Sequence, residues 1–102
     1  MDYSADNFSR HVNTKFTVRS GSGEPIELEL AEVAVRQNEV NEQGGMERFS
    51  TFFSGPQSSF LPQGTYTFEH PEMGELQIFL VPLGLDKRGY RYEAIFNRFV
   101  DR

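Results

Sequence analysis

The sequence predicts an all-β domain, a small six-stranded antiparallel barrel or sandwich with a short N-terminal helix. Three observations carry that expectation. Short apolar runs alternate with polar residues at period two, as in Lys15–Arg19 and Ile26–Leu30. Glycine and proline punctuate the chain between the runs, at Ser20–Pro25, Gly55–Pro56, Pro62–Gly64 and Pro71–Gly74. The links are too short for crossover helices, so consecutive strands are expected to pair antiparallel.

Residues 4–12 are the helical candidate. Ser4 or Asp6 can accept from free N–H groups at a helix start, and Phe8 and Val12, four apart, form one apolar stripe. So short a helix does not survive alone in water, so it is expected to dock as a plug or lid across one end of a sheet. In strand 15–19, Phe16 and Val18 face one way and Lys15, Thr17 and Arg19 the other. Ser20 to Pro25 is a turn by composition. Strand 26–36 (IELELAEVAVR) alternates strictly through Leu30, then slips phase to Val33 and Val35. A period of two cannot absorb that slip in a flat strand, so a bulge or sharp bend is expected near Leu30–Ala31. The strict alternation favours strand over the competing helix.

Gln37 to Gly45 is polar and ends in two glycines, which reads as a mobile hairpin loop. Strand 47–54 places Phe49, Thr51 and Phe53 on one face and Phe52 on the other, toward a second layer or an interface. Gly55-Pro56 stops it. Gln57 to Leu61 is expected to make a helical turn that folds Phe60 and Leu61 onto the core. Strand 65–70 puts Tyr66, Phe68 and His70 on one face, and Pro71 to Gly74 is a turn. Strand 75–81 is apolar on both faces after Gln77, so it is expected to be covered on both sides and to end at Pro82. Leu83 to Gly89 is a turn around Asp86-Lys87. Strand 90–99, with Tyr90, Tyr92, Ala94 and Phe96 in phase, closes the domain.

The 102 residues make one domain with a modest core. The absence of cysteine excludes disulfides and thiolate chemistry and fits a cytoplasmic protein. The start, MDYSADNFSRHV, lacks a signal peptide's basic and apolar regions, and no apolar run approaches the ~20 residues of a membrane helix. The formal charge is −5. Cations cluster only at Lys87, Arg88, Arg91, Arg98 and Arg102, interrupted by Asp86, Glu93 and Asp101. That is no basic stripe of the kind nucleic acid requires. The expectation is no nucleic-acid partner and no membrane.

Candidate chemistry is sparse. His11 and His70 are the two histidines. His70 has Glu69 and Glu72 beside it, but zinc recruits three or four ligands and nothing in the spacing supplies them. A rim histidine at a turn is the expectation. There is no Gly-x-Ser-x-Gly elbow, and Gly21-Ser22-Gly23 lacks the helix start of a phosphate loop. Glu27, Glu29, Glu69, Glu72 and Glu75 lie on solvent phases or in turns, where nothing shifts a carboxylate toward catalysis. The expectation is therefore a non-enzymatic protein with no catalytic residue, metal or cofactor.

Two classes of function remain. Phe52, Phe60, Phe79 and Phe99 are hard to bury together in so small a core, and leftover apolar surface marks a protein partner or self-association. The candidate interaction surface is Phe52, Phe60, Leu61, His70, Glu72 and Phe99, with the loops Glu69–Gly74 and Gly55–Gln63 flanking strand 65–70. Turn enforcement alone accounts for the glycines and prolines of those loops. The second class is a small-ligand-binding β-barrel, although barrels that hold a ligand have about eight strands.

The runs IELELAEV, ERFSTFFSGP, PQGTYTFEHPEMGELQIFLVPLG and RYEAIFN, with Phe8, Val12, Phe16 and Val18 at the start, resemble a family of short bacterial proteins of unknown function. The resemblance covers nearly the whole chain and implies kinship without an assigned chemistry. It also implies a setting near phage-tail-collar-like proteins, and hence an accessory role in a tail-like or surface assembly. The chain departs from the family pattern at Ser54, where arginine is common before Gly-Pro, and in extending through Arg98 to Arg102.

Overall fold

The β-prone runs become β1 (Lys15–Arg19), β2 (Ile26–Asn41), β3 (Gly44–Gly55), β4 (Gly64–His70), β5 (Gly74–Asp86) and β6 (Gly89–Asp101), preceded by α1 (Ala5–Ser9). The computed structural model describes residues 3–19 and 23–101. The expected turn at Ser20–Pro25 therefore lies partly outside the described residues. All pairings are antiparallel, and the sheet closes as a barrel in the order β1-β2-β3-β6-β5-β4. Of the two expected architectures, the barrel is the one formed.

Alternation decides what fills the barrel. Phe16, Val18, Leu28, Leu30, Phe53, Phe68, Ile78, Leu80 and Tyr92 are fully buried. Each side chain of this size stabilises by about 1.5–3 kcal/mol when taken from water. The ends are closed by the chain itself. At one end Phe8 of α1 is buried against Phe96, Phe49 and Phe16, with ring centroids 5.2, 5.9 and 6.5 Å away. Ser4 caps the helix by accepting from the Asn7 N–H at 3.1 Å. At the other end Leu61 is buried, its N–H donating to the Tyr92 hydroxyl at 3.0 Å.

The phase slip in β2 is a bulge: the register with β3 shifts between Leu30 and Glu32, and again between Val35 and Gln37. Beyond the bulge the barrel opens. β1 pairs with β2 only as far as Glu29, and β5 pairs with β6 only as far as Glu93. Past those points β2, β3 and β6 run on as a three-stranded blade, pairing out to Asn41–Gly44 and Gly44–Asp101. The molecule is accordingly elongated, 46 × 25 × 22 Å.

Several expectations are corrected. The helix is shorter than residues 4–12: it ends at Ser9, the His11 N–H tightens onto the Phe8 carbonyl at 2.9 Å, and Asn13, at a positive φ of 71°, turns its N–H to the Leu30 carbonyl at 2.7 Å. Gln37 to Gly45 is not a loop. β2 and β3 continue through it to a two-residue turn at Glu42-Gln43, with Gly45 at φ +144° lying against the Glu39 carbonyl, where a Cβ would collide. Gln57 to Leu61 forms a turn without helix. β5 runs past Pro82 to Asp86, since a register shift between Pro82 and Gly84 spares the missing N–H. β5 is covered on one face only: Leu76, Ile78 and Leu80 point inward, while Phe79 stays half exposed. Finally, β3 and β4 do not pair. The connector from Pro56 to Gln63 crosses the barrel end, and β4 pairs with β1 and β5 instead.

Candidate functional site

The fold leaves polar backbone and apolar side chains without a strand partner in the blade and, over a shorter stretch broken by Pro82, along the β4-side edge of β5 from Val81 to Asp86, where Leu83 and Leu85 are half exposed. β3 is the centre of the blade. The β1-side edge of β2 beyond Leu30 and the β5-side edge of β6 beyond Glu93 have no strand partner among the described residues. Cross-strand register sorts its faces. Val35–Phe49–Phe96 and Val33–Thr51–Ala94 face the barrel side, where α1 covers the aromatic rings. Ala34–Ser50–Ile95, Gln37–Arg48–Asn97 and Glu39–Met46–Phe99 face away. On that outer face Ile95 is 58% exposed and Phe99 76% exposed, the largest exposure among the exposed large hydrophobic side chains.

One buried carboxylate joins blade to barrel. Glu47 sits on the inward phase of β3 and is 5% exposed. Its Oε1 accepts from the Ala5 N–H at 3.1 Å and from Arg98 Nε at 3.2 Å. It therefore ties the start of α1 to β3 and β6. The sequence carried a signal for it: Glu47 shares the phase of Phe49, Thr51 and Phe53, so an inward carboxylate had to find donors.

A second cluster lies where α1 meets the β4–β5 turn. The His11 and His70 rings are 4.6 Å apart, and Phe16 lies 4.5 Å from His70. Both histidines are buried. Nδ1 of His70 accepts from the backbone N–H groups of Glu72 at 3.0 Å and Met73 at 3.3 Å. Thr14 Oγ1 donates to the His11 carbonyl at 2.6 Å, so at its 3.0 Å contact with His70 Nε2 it acts as acceptor. His70 is thus neutral with its proton on Nε2. Burial lowers its pKa below the ordinary value, the nearby His11 adds to that, and Glu72 opposes it. Glu72 reaches His11 Nδ1 at 3.8 Å. Among the described residues no group of three such side chains is placed to hold a metal ion.

The remaining feature is an open surface cleft of about 580 Å³, lined by Lys15, Glu27, Glu29, Ser54, Ser59 and Arg88 among others. Arg88 is tied there to Glu29 at 3.3 Å.

The six residues singled out from sequence do not form one surface. Phe99 is on the blade. Phe52 faces outward on β3 but is 9% exposed, because Arg91 lies over its ring at 4.7 Å and pairs with Glu32. Leu61 is core, and Phe60, half exposed, packs edge-on to Tyr90 at the same barrel end. His70 and Glu72 are at the opposite end, His70 buried and Glu72 with a 75% exposed side chain. The two candidate loops are separated by the length of β4, about 20 Å for seven residues. Of the clustered cations, Arg88, Arg91 and Arg98 each pair with a glutamate, and Arg102 lies outside the described residues.

Residues 3–96 match the family described as Domain of unknown function (DUF6916). The chain belongs to that family. The match takes in α1, the barrel and all of β2 and β3 in the blade, and it stops at Phe96 of β6, three residues short of Phe99. No curated protein and no solved structure matches the chain. Among the described residues of this DUF6916 domain, no helix is long and apolar enough to cross a membrane.

Proposed function

We propose that this domain is a non-enzymatic protein-interaction module in which the barrel is the rigid holder and the blade is the contact element. One observation carries the reading: among the described residues β2 and β6 run out of the closed ring with long unbroken edges that have no strand partner, and β6 presents Ile95 and Phe99 to solvent, whereas the unpaired edge of β5 past Leu80 is interrupted by Pro82 and a register shift. An unpaired edge is a template for another strand, and exposed aromatic surface supplies anchoring area. The barrel interior, filled by phenylalanine, leucine and Tyr92, supports the same reading. So do the cations held by glutamates, which speak against a nucleic-acid partner. A cytoplasmic accessory role in a tail-like or surface assembly is the setting we favour.

Sedimentation and affinity capture with the wild-type chain and an Ile95→Lys/Phe99→Lys variant test it. The variant should keep the wild-type melting temperature and lose association. A chain that stays monomeric, and captures the same proteins whether or not the blade is altered, would overturn it. The surface cleft with Lys15 and Arg88 facing Glu27 and Glu29 favours a second reading, in which a small polar ligand binds outside the barrel. A thermal-shift screen of metabolites, sugars and metals with no stabilisation would sink that one.

A further inference from the structure

We infer that the partner of the β6 edge is a second copy of this chain, added antiparallel so that two blades form one six-stranded sheet about a twofold axis at Phe99. The inference rests on the reading of the blade as the contact element and names its occupant. Three constraints select it. First, a twofold axis perpendicular to a sheet preserves which face each side chain occupies, so a residue must lie opposite itself at the centre. The candidate centres on the free edge are therefore single residues. Second, centring on Arg98 sets two long ion-paired side chains directly opposite each other and lays Phe99 against Asn97 rather than against its twin. Centring on Asn97 would lay the partner's position 101 alongside Glu93, a place already held by Val81 of β5. Centring on Phe99 avoids both: positions 97 and 101 pair across the axis, and 98 with 100.

Third, charge favours self-pairing at this edge over the other. The chain carries a formal charge of −5, so two copies repel over most of their surface. From Asn97 to Asp101, the segment that pairs, the charged residues are Arg98, which Glu47 neutralises at 3.2 Å, and Asp101, which lies opposite the uncharged Asn97 of the second copy. The free edge of β2 instead carries Glu32, Arg36 and Glu39. With the axis at Phe99, the outward row reads Met46–Phe99 in one copy and Phe99–Met46 in the next, since Met46 is the register partner of Phe99. This stacks the most exposed aromatic of each blade on its twin and covers it from both sides.

The absence of cysteine makes the test direct. In the paired sheet the two copies of position 99 have Cα atoms about 4.5–5.5 Å apart, within the range a disulfide spans. The two copies of position 97 are offset by four residues, about 13 Å, and those of position 95 by eight, about 26 Å. Phe99→Cys should therefore form a disulfide-linked dimer under mild oxidant at least roughly ten-fold faster than Asn97→Cys or Ile95→Cys. Wild-type chain should sediment as a concentration-dependent dimer, and Phe99→Lys should remain a folded monomer by sedimentation and circular dichroism. Equal cross-linking at the three positions, or fastest cross-linking at 97, would overturn the axis. A wild-type monomer at every accessible concentration would overturn self-pairing. In that case capture of another protein that depends on Phe99 and Ile95 would leave the interaction reading standing, so the two failures are distinguishable.

Discussion

The closed barrel and the open blade share three strands and are built on opposite rules. In the barrel, residues of one phase meet across the interior and every strand has two neighbours. In the blade the same β2, β3 and β6 continue with solvent on the outer face and one neighbour each at the edges. The phase that carries Phe53 and Tyr92 in the barrel carries Glu47 and Arg98 in the blade, so apolar contact gives way to an ion pair along one strand. What differs is therefore the source of order: burial in one region, backbone pairing and a few polar ties in the other.

Substituting one aromatic in each region tests that contrast most sharply. Phe53 is fully buried, with Phe16 and Phe68 at 5.6 and 5.2 Å between ring centroids. Phe53→Ala should cost about 3–5 kcal/mol, from lost transfer energy plus a cavity the ring of strands cannot collapse. At concentrations low enough that the chain is monomeric, Phe99→Ser removes a side chain that is 76% exposed and should change stability by no more than about 0.5 kcal/mol. Urea unfolding measures both. Comparable losses at the two positions would show that the blade carries packing the isolated chain does not display.

A smaller effect is expected at the junction. Glu47→Ala takes the acceptor from the Ala5 N–H and from Arg98 together, and should cost about 1–3 kcal/mol. The blade should loosen with it. Hydrogen exchange should speed up at residues 97–101 and in α1, with the barrel strands little changed. Uniform loss of protection would mean that barrel and blade unfold as one unit.

How much of this was legible in the sequence depended on whether a residue's role is set by its own strand or by its neighbours. The bulge at Leu30–Ala31 was legible because phase is a local property. The plug role of Phe8 was legible because so short a helix has to dock. The blade was not, because residues 37–45 are polar and a strand with solvent on its faces needs no apolar alternation. Phe99 was singled out, but its isolation from Phe60, Leu61 and His70 follows from the barrel order. The meeting of His11 with His70 required β4 to lie beside β1, which consecutive pairing does not provide.

That meeting sets the smallest of these effects, which appears on acidification. His70 holds its neutral form because Nδ1 already receives two backbone N–H groups, and a proton there would displace them. Its pKa in the folded protein is lowered from the ordinary 6.5 by burial first and His11 second, against the opposing pull of Glu72. The unfolded chain therefore takes up this proton more readily than the fold does. Its contribution to stability is complete above about pH 6.5 and is lost as pH falls from there toward the folded value. Wild-type protein should melt at progressively lower temperature between about pH 7.5 and pH 5, before most carboxylates titrate. His70→Gln, measured against its own value at about pH 7.5, should lose less over the same interval. The loosening should begin at the β4–β5 turn and at residues 11–14, on the barrel side of the molecule, with exchange at the blade tip unchanged at first. A pH slope identical in the two proteins would show that His70 opens to solvent before it titrates, and that this corner of the barrel is no more tightly held than the blade.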